Sequence, residues 1–146
     1  MPPLRNVIAS LFAAAIIALP ALARDDTPPP SGYPATALLS TGTTVVGEPI
    51  VYPSGKPHVT AAIVTIGPGS RTIAHKHGVP MFAYILQGEL EVNYGADGTR
   101  TYKQGDALME AMNVAHVGIN NGAEPVRILV VYMGADGAPA DVIPEK

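Results

Sequence analysis

Gly69-Ser70-Arg71-Thr72-Ile73-Ala74-His75-Lys76-His77-Gly78-Val79-Pro80-Met81, with Gly88 beyond it, is the stretch on which the fold turns. His75 and His77 are two of only four histidines in the chain. On a strand, residues two apart point to the same face. Both imidazoles can therefore meet one ion from adjacent positions, and Lys76 between them points the other way. A third histidine, His116, follows Gly105 by eleven residues and opens a run that ends at Asn120. The fourth, His58, lies outside this pattern and is expected on the surface at a strand start.

Outward from these histidines the pattern is that of short strands. Candidate strands cover residues 45–52, 59–66, 71–75, 81–87, 90–94, 99–102, 107–110, 116–120 and 126–133. Pro49 makes the first of them an edge. Turn residues separate them: Gly67-Pro68-Gly69, Gly88, Gly95-Ala96-Asp97-Gly98, Gly105, and Asn121-Gly122 with Pro125. Asp106 reads as a turn residue. Leu90, Val92 and Tyr94 alternate with Glu89, Glu91 and Asn93, so that strand has one wet face. Residues 81–86 are apolar on both faces and belong in the middle of a sheet. Many short strands about ten residues apart suggest a sandwich or barrel.

The 146 residues suit one domain. With 14% charged and 47% hydrophobic residues, the chain is not compositionally disordered. A net charge of -3 with scattered Lys and Arg gives no basic patch, which argues against nucleic-acid binding. Residues 1–23 read as a secretory signal peptide. Arg5 precedes an apolar run from Val7 to Leu19, Pro20 breaks it, and Ala21-Leu22-Ala23 offers a cleavage site. The run is shorter than the roughly 20 residues a bilayer span needs. Removing Arg5 takes the net charge from -3 to -4. The expected location is periplasmic or secreted, with no membrane association after cleavage. Residues 24–42 form a Pro-rich N-terminal segment, 43–134 the domain, and 135–146 a loose C-terminal tail. The chain has no cysteine. That excludes zinc–cysteine sites, iron–sulfur clusters, thiol nucleophiles and blue copper.

The spacing of glycines and histidines resembles the cupin superfamily. Its first motif runs Gly, five residues, His-x-His, three or four residues, Glu, six residues, Gly. Gly69, His75, His77 and Gly88 match it, and Met81 stands where the family has its glutamate. The second motif runs Gly, five residues, Pro-x-Gly, two residues, His, three residues, Asn. Gly105, His116 and Asn120 match, with Ala111 for the proline and Asn113 for the glycine. Asn tolerates a left-handed turn better than other non-glycine residues, so that exchange is mild. The resemblance covers about residues 59–133. It implies an all-β double-stranded β-helix, a jelly-roll barrel of about 8–10 short antiparallel strands, with the metal inside.

The resemblance also implies one transition-metal ion, held on His75, His77, His116 and the residue at position 81. Met81 removes the anionic ligand, and hard ions such as Mn²⁺ lose most from this. A thioether is soft, so a His3Met set favours copper. The alternative is a three-histidine iron or zinc site with Met81 only packing beside it; nickel and manganese are further metals of the family. Glu110, just before the second-motif turn, is the one nearby carboxylate suited to a general base. Asn120 either orients a ligand or serves the Asn121-Gly122 turn. Tyr84 should face away from the metal, and Tyr94, Tyr102 and Tyr132 are candidates for the pocket wall. Three functions stay open: a metal-dependent enzyme on a small organic substrate (dioxygenase, isomerase, lyase or decarboxylase type), a non-catalytic module for copper or a small ligand, and a structural cupin with a vestigial site. Cupins often form dimers, so a homodimer is an expected partner state.

The exported form is expected to begin near Arg24. N-terminal sequencing of the soluble protein checks this; recovery only in membranes, with residues 1–23 intact, would overturn it.

Overall fold

The computed structural model describes residue 32 and residues 34–145. The expected signal peptide over 1–23 and the proline run up to residue 31 lie outside the described residues. Nine strands follow one another: β1 (Pro57–Ile66), β2 (His75–Lys76), β3 (Met81–Gln87), β4 (Glu89–Asn93), β5 (Thr99–Lys103), β6 (Ala107–Met109), β7 (Val117–Ile119), β8 (Val126–Ala135) and β9 (Ile143–Pro144). Every strand pairing is antiparallel. One sheet runs β1-β8-β3-β6, a second β5-β4-β7, and β2 pairs with β9 as a short ribbon. This is the expected all-β jelly roll.

The alternation in the sequence sets which side chains face inward. On β3, Met81, Ala83 and Ile85 are buried, and β3 lies between β8 and β6 as its two-sided apolar run requires. On β4, Leu90 and Val92 face in with Tyr94 just beyond, while Glu89 and Asn93 are exposed. Ile66, Leu108, Val126, Ile128 and Val130 join them in one core. Gly88 makes the turn from β3 to β4 with φ at +83°, and a Cβ there would meet the Pro125 carbonyl oxygen at 3.1 Å. Both the turn and the close approach therefore call for glycine.

Three stretches differ from the sequence reading. Residues 45–52 form no strand. Val45 and Val46 sit in a turn closed by the Gly47 N–H donating to the Thr44 carbonyl at 3.0 Å, and only a single bridge joins Thr43 to Pro49. Gly47 has φ at +87°, which ends the run that β-branched residues began. Residues 71–75 make isolated bridges at Arg71 and His75 rather than a continuous strand. The stretch expected as a loose tail is paired in its described part, 135–145: β8 runs to Ala135, and β9 then returns to pair with the first histidine of the His-x-His stretch, His75 opposite Pro144. The Gly78 N–H donates to the Ala140 carbonyl (3.2 Å), the Glu145 N–H donates to the Ala74 carbonyl (3.0 Å), and Lys76 pairs with Glu145 at 2.8 Å. Main-chain groups do most of this docking, so side-chain patterning gives no sign of it.

Gly78 is where the returning segment comes closest. A Cβ there would lie 2.5 Å from the Ala140 carbonyl oxygen and 2.6 Å from the Pro139 Cβ. Gly78→Ala is expected to lower stability by about 1–3 kcal/mol and to speed amide exchange at Glu145. Gly42→Ala, where nothing lies within 4 Å, is the control. Equal denaturation midpoints for the two variants would mean that the segment yields freely.

Candidate metal centre

The two histidine motifs meet through their backbones. His75 and His116 exchange both main-chain hydrogen bonds, at 3.1 and 3.0 Å. The His77 N–H donates to the Met112 carbonyl at 3.2 Å. Residues paired this way across antiparallel strands share a face. The three rings accordingly stand with centroids 5.0 Å (His75–His77), 4.5 Å (His75–His116) and 5.1 Å (His77–His116) apart. One nitrogen from each lies within 4.8 Å of the others.

Hydrogen bonding fixes which nitrogen each ring presents. Nδ1 of His75 lies 2.8 Å from the Ile73 carbonyl, that of His77 2.8 Å from the Asp141 carbonyl, and that of His116 3.0 Å from the Val114 carbonyl. A carbonyl only accepts, so each Nδ1 carries the proton and donates it. Each Nε2 is left with a free lone pair, the arrangement that orients histidine ligands at metal sites. Nε2 of His77 is buried with no hydrogen-bond partner among the described residues. A buried imidazole nitrogen left unpaired is costly. A cation bound between the rings would satisfy it, so the donor set fits a metal.

Burial also favours the neutral form of His77 and His75, the form ligation requires. His77 is pushed down to about 4, first by burial, with the other two histidines acting in the same direction. Burial lowers His75 as well. The cavity before the rings has a volume of about 70 Å³, room for about five water-sized molecules. Its walls are apolar, from strands of both sheets: Val64, Leu90, Val92, Leu108, Ile128 and Val130.

Met81 lines this cavity with the histidines and is 6% exposed. Glu110 lines it too, 5% exposed, with Oε1 accepting the Ala111 N–H at 2.8 Å and Oε2 4.0 Å from Nε2 of His116. Tyr132 completes the wall, its ring 5.7 Å from that of His77. Tyr94 packs 5.6 Å from His116, and its hydroxyl meets that of Tyr102 at 3.2 Å. Burial, with the Glu110 carboxylate nearby, pushes Tyr94 far above the usual phenol range, so it stays neutral. Tyr84 is absent from the cavity wall, and His58 is exposed. Asp106 serves its turn, accepting the Lys103 N–H at 2.7 Å. Asn120 uses its whole amide on the chain around it: Nδ2 donates to the Ile66 and Glu124 carbonyls (2.9 and 2.8 Å), and Oδ1 accepts the Gly122 N–H (2.9 Å). It closes the β7–β8 turn.

Two supports were not visible in the sequence. Glu48 accepts the N–H groups of Met112 and Asn113, each at 2.8 Å, and the Thr44 hydroxyl at 3.2 Å. Burial alone would raise its pKa, but these donors outweigh it and hold the carboxyl low. Glu48 thereby pins the second-motif turn, where Ala111 and Asn113 replace the usual proline and glycine. Asp141 contributes only a main-chain carbonyl, which no side-chain motif records.

The family profile described as the cupin domain matches residues 62–132. Among solved structures, the chain is similar to oxalate decarboxylase from Lactobacillus farciminis in its formate complex, with 27% identity and a TM-score of 0.50. That match covers 59% of this chain and 26% of the decarboxylase, so the chain spans about a quarter of that protein's length. It is also similar to a sugar phosphate isomerase of the cupin superfamily from Silicibacter pomeroyi (23% identity, TM-score 0.46, 51% and 50% of the two chains). A polyketide cyclase from Streptomyces resistomycificus matches at 21% identity and TM-score 0.49, over 64% and 63% of the two chains. The comparison with curated proteins found no match. The profile falls on the same residues that carry both histidine motifs and the strands between them, so residues 62–132 of the chain form a cupin domain.

Proposed function

We propose that this cupin is an exported protein that binds one transition-metal ion on His75, His77 and His116 and uses it to act on a small organic substrate. The observation that carries this reading is the Nδ1 anchoring of all three rings, which turns their Nε2 lone pairs to one cavity and leaves that of His77 without a partner. A vestigial site would have no reason to keep that cost. When bound, the ion supplies Lewis-acid polarisation of an oxygen that it ligates. The chain supplies the rest. Apolar walls flank the histidines, and a cavity of about 70 Å³ suits a substrate of a few heavy atoms with an oxygen donor at the histidine end. The likeness to an oxalate decarboxylase in complex with formate supports a small carboxylate as the substrate class. The apolar run before Ala23, with small residues at its end and abruptly polar residues after it, supports export.

A second reading has one observation in its favour. Met81 lines the same cavity, and a His3Met set would make the protein a copper-holding module rather than an enzyme. Cu(I) titration of the parent and of Met81→Leu separates the two, since that exchange nearly conserves volume. Equal affinities would remove the sulfur from the ligand set.

Replacing His116 by Ala is expected to lower metal affinity by at least about 100-fold, the upper end of what losing an outer partner costs. Isothermal titration measures it, and stoichiometric binding equal to the parent would overturn the assignment.

Metal-free stability should also depend on pH. The unfolded chain protonates its histidines near 6.5, whereas folded His77 resists down to about 4. Between those values the unfolded state binds more protons, so stability is complete above pH 6.5 and falls as pH drops toward 4. The His77 contribution to that fall is roughly 3 kcal/mol. Urea midpoints at pH 7.5 and 4.5 read it, with a shallower dependence expected for His77→Gln.

A further inference from the structure

β1 leaves one side of its backbone bare. It is a terminal strand of its sheet, bonded to β8 alone. Its register with β8 runs from Pro57 to Ile66 without a bulge. One position before the strand, the Asp136 N–H donates to the Lys56 carbonyl at 2.9 Å. Hydrogen-bonded pairs alternate along an antiparallel ladder. His58, Thr60, Ala62 and Val64 therefore bond to β8, and Val59, Ala61, Ile63 and Thr65 turn their N–H and C=O groups away from it. None of these outward groups has a hydrogen-bond partner among the described residues.

The other sheet edges are covered or charged. The Val45 N–H donates to the Met109 carbonyl at 2.8 Å and covers β6. Against β7, the Thr72 N–H donates to the Gly118 carbonyl and the Asn120 N–H to the Ser70 carbonyl, each at 2.9 Å. β5 carries Arg100 and Lys103, and charge is a common protection of an open edge. β1 has neither device. Pro-His-Val-Thr-Ala-Ala-Ile-Val-Thr-Ile holds no Lys, Arg, Asp or Glu, and Val59 and Ile63 are 62% and 47% exposed. A long, regular, apolar edge of this kind is a template for another strand.

We infer, independently of the metal reading, that β1 docks β1 of a second copy of this chain, the two strands running antiparallel about a two-fold axis at Ala62. The order of residues in the strand selects this occupant. Centred on Ala62, Ala61 lies opposite Ile63 of the partner subunit, small against large, and Val59 lies opposite Thr65 of the partner subunit. These are the residues with outward groups, and their pairing makes about eight main-chain bonds. Ala62 meets its own copy at a non-hydrogen-bonded position, where Cα atoms approach to about 4.5 Å and a methyl group fits. Two-fold pairing occupies both edges at once, so association stops at the dimer. Residues 24–31 of the same chain suit the edge less: Asp25 and Asp26 add charge, and Pro28-Pro29-Pro30 has no N–H to donate. The edge is about 33 Å long and about 10 Å deep across both faces, roughly 330 Å² in outline and more along its corrugated surface. Specific interfaces begin at roughly 500 Å² per partner. The dimer is therefore expected to be weak, with a dissociation constant in the micromolar range.

Sedimentation velocity of the parent from low micromolar to about 500 µM tests this, with backbone amide exchange at both ends of the range and thermal melting of each variant. The parent is expected to pass from monomer to dimer, and the amides of Val59, Ala61, Ile63 and Thr65 to exchange more slowly in the dimer. Ile63→Lys puts a charge on the edge. Ala61→Pro removes an outward N–H that β8 does not use. Each is expected to raise the dissociation constant about tenfold or more while melting as the dilute parent does. Thr101→Lys, at an exposed position of β5, is expected to dimerise as the parent does. A parent that stays monomeric throughout overturns the inference, as does a dimer that both edge variants form equally well. Slow exchange of the four amides in the monomer would mean that the chain covers its own edge, and overturns it too. If both edge variants melt well below the parent, exchange in the parent decides: slowing on dimerisation upholds the inference, and unchanged rates overturn it.

Discussion

The reciprocal backbone bridge between His75 and His116 is the constraint on which the site depends. It joins segments about forty residues apart in sequence, one before β3 and one opening β7. Without it the two motifs would be glycine-bounded turns on separate strands. With it, three rings reach one point from a rigid frame, because each motif is also held from its other side. β9 holds the first through His75 and Lys76, and Glu48 holds the second through Met112 and Asn113. The precision of the site is thus set by main-chain pairing, with the side chains reading it out.

That division explains how much could be read from the sequence. The His-x-His pair and the alternation of Leu90, Val92 and Tyr94 are side-chain signals on a period of two, and a strand's pleat converts them directly into faces. The jelly roll and the shared orientation of His75 and His77 follow from them. Residues 45–52 misled because their valines and isoleucine favour strands, while Gly47 at positive φ and Pro49 bend the chain into the turn that presents Glu48. The docking of residues 136–145 was invisible because Ala140 and Asp141 act through carbonyls, which every residue has. Asn120 left two roles open, and only the positions of Ile66, Gly122 and Glu124 decide for the turn.

The neighbourhood of Met81 shows a further limit of linear motifs. A spacing rule tracks positions along one strand, whereas a binding site samples neighbours across strands. Glu110 is twenty-nine positions from Met81 in sequence, yet one ladder step away in the sheet. A motif search therefore registers a missing carboxylate where the cavity contains one.

The anchoring of His77 by the Asp141 carbonyl spans 64 residues, which bears on when the proposed metal site can take shape. During synthesis all three histidines emerge before residue 141 does, so a nascent chain displays imidazoles whose orientation is not yet fixed. The last anchor closes only when the segment that follows β8 has folded back along β2. Under the proposed metal reading, selective loading would consequently be a property of the finished chain, since the site reaches its organised form only then.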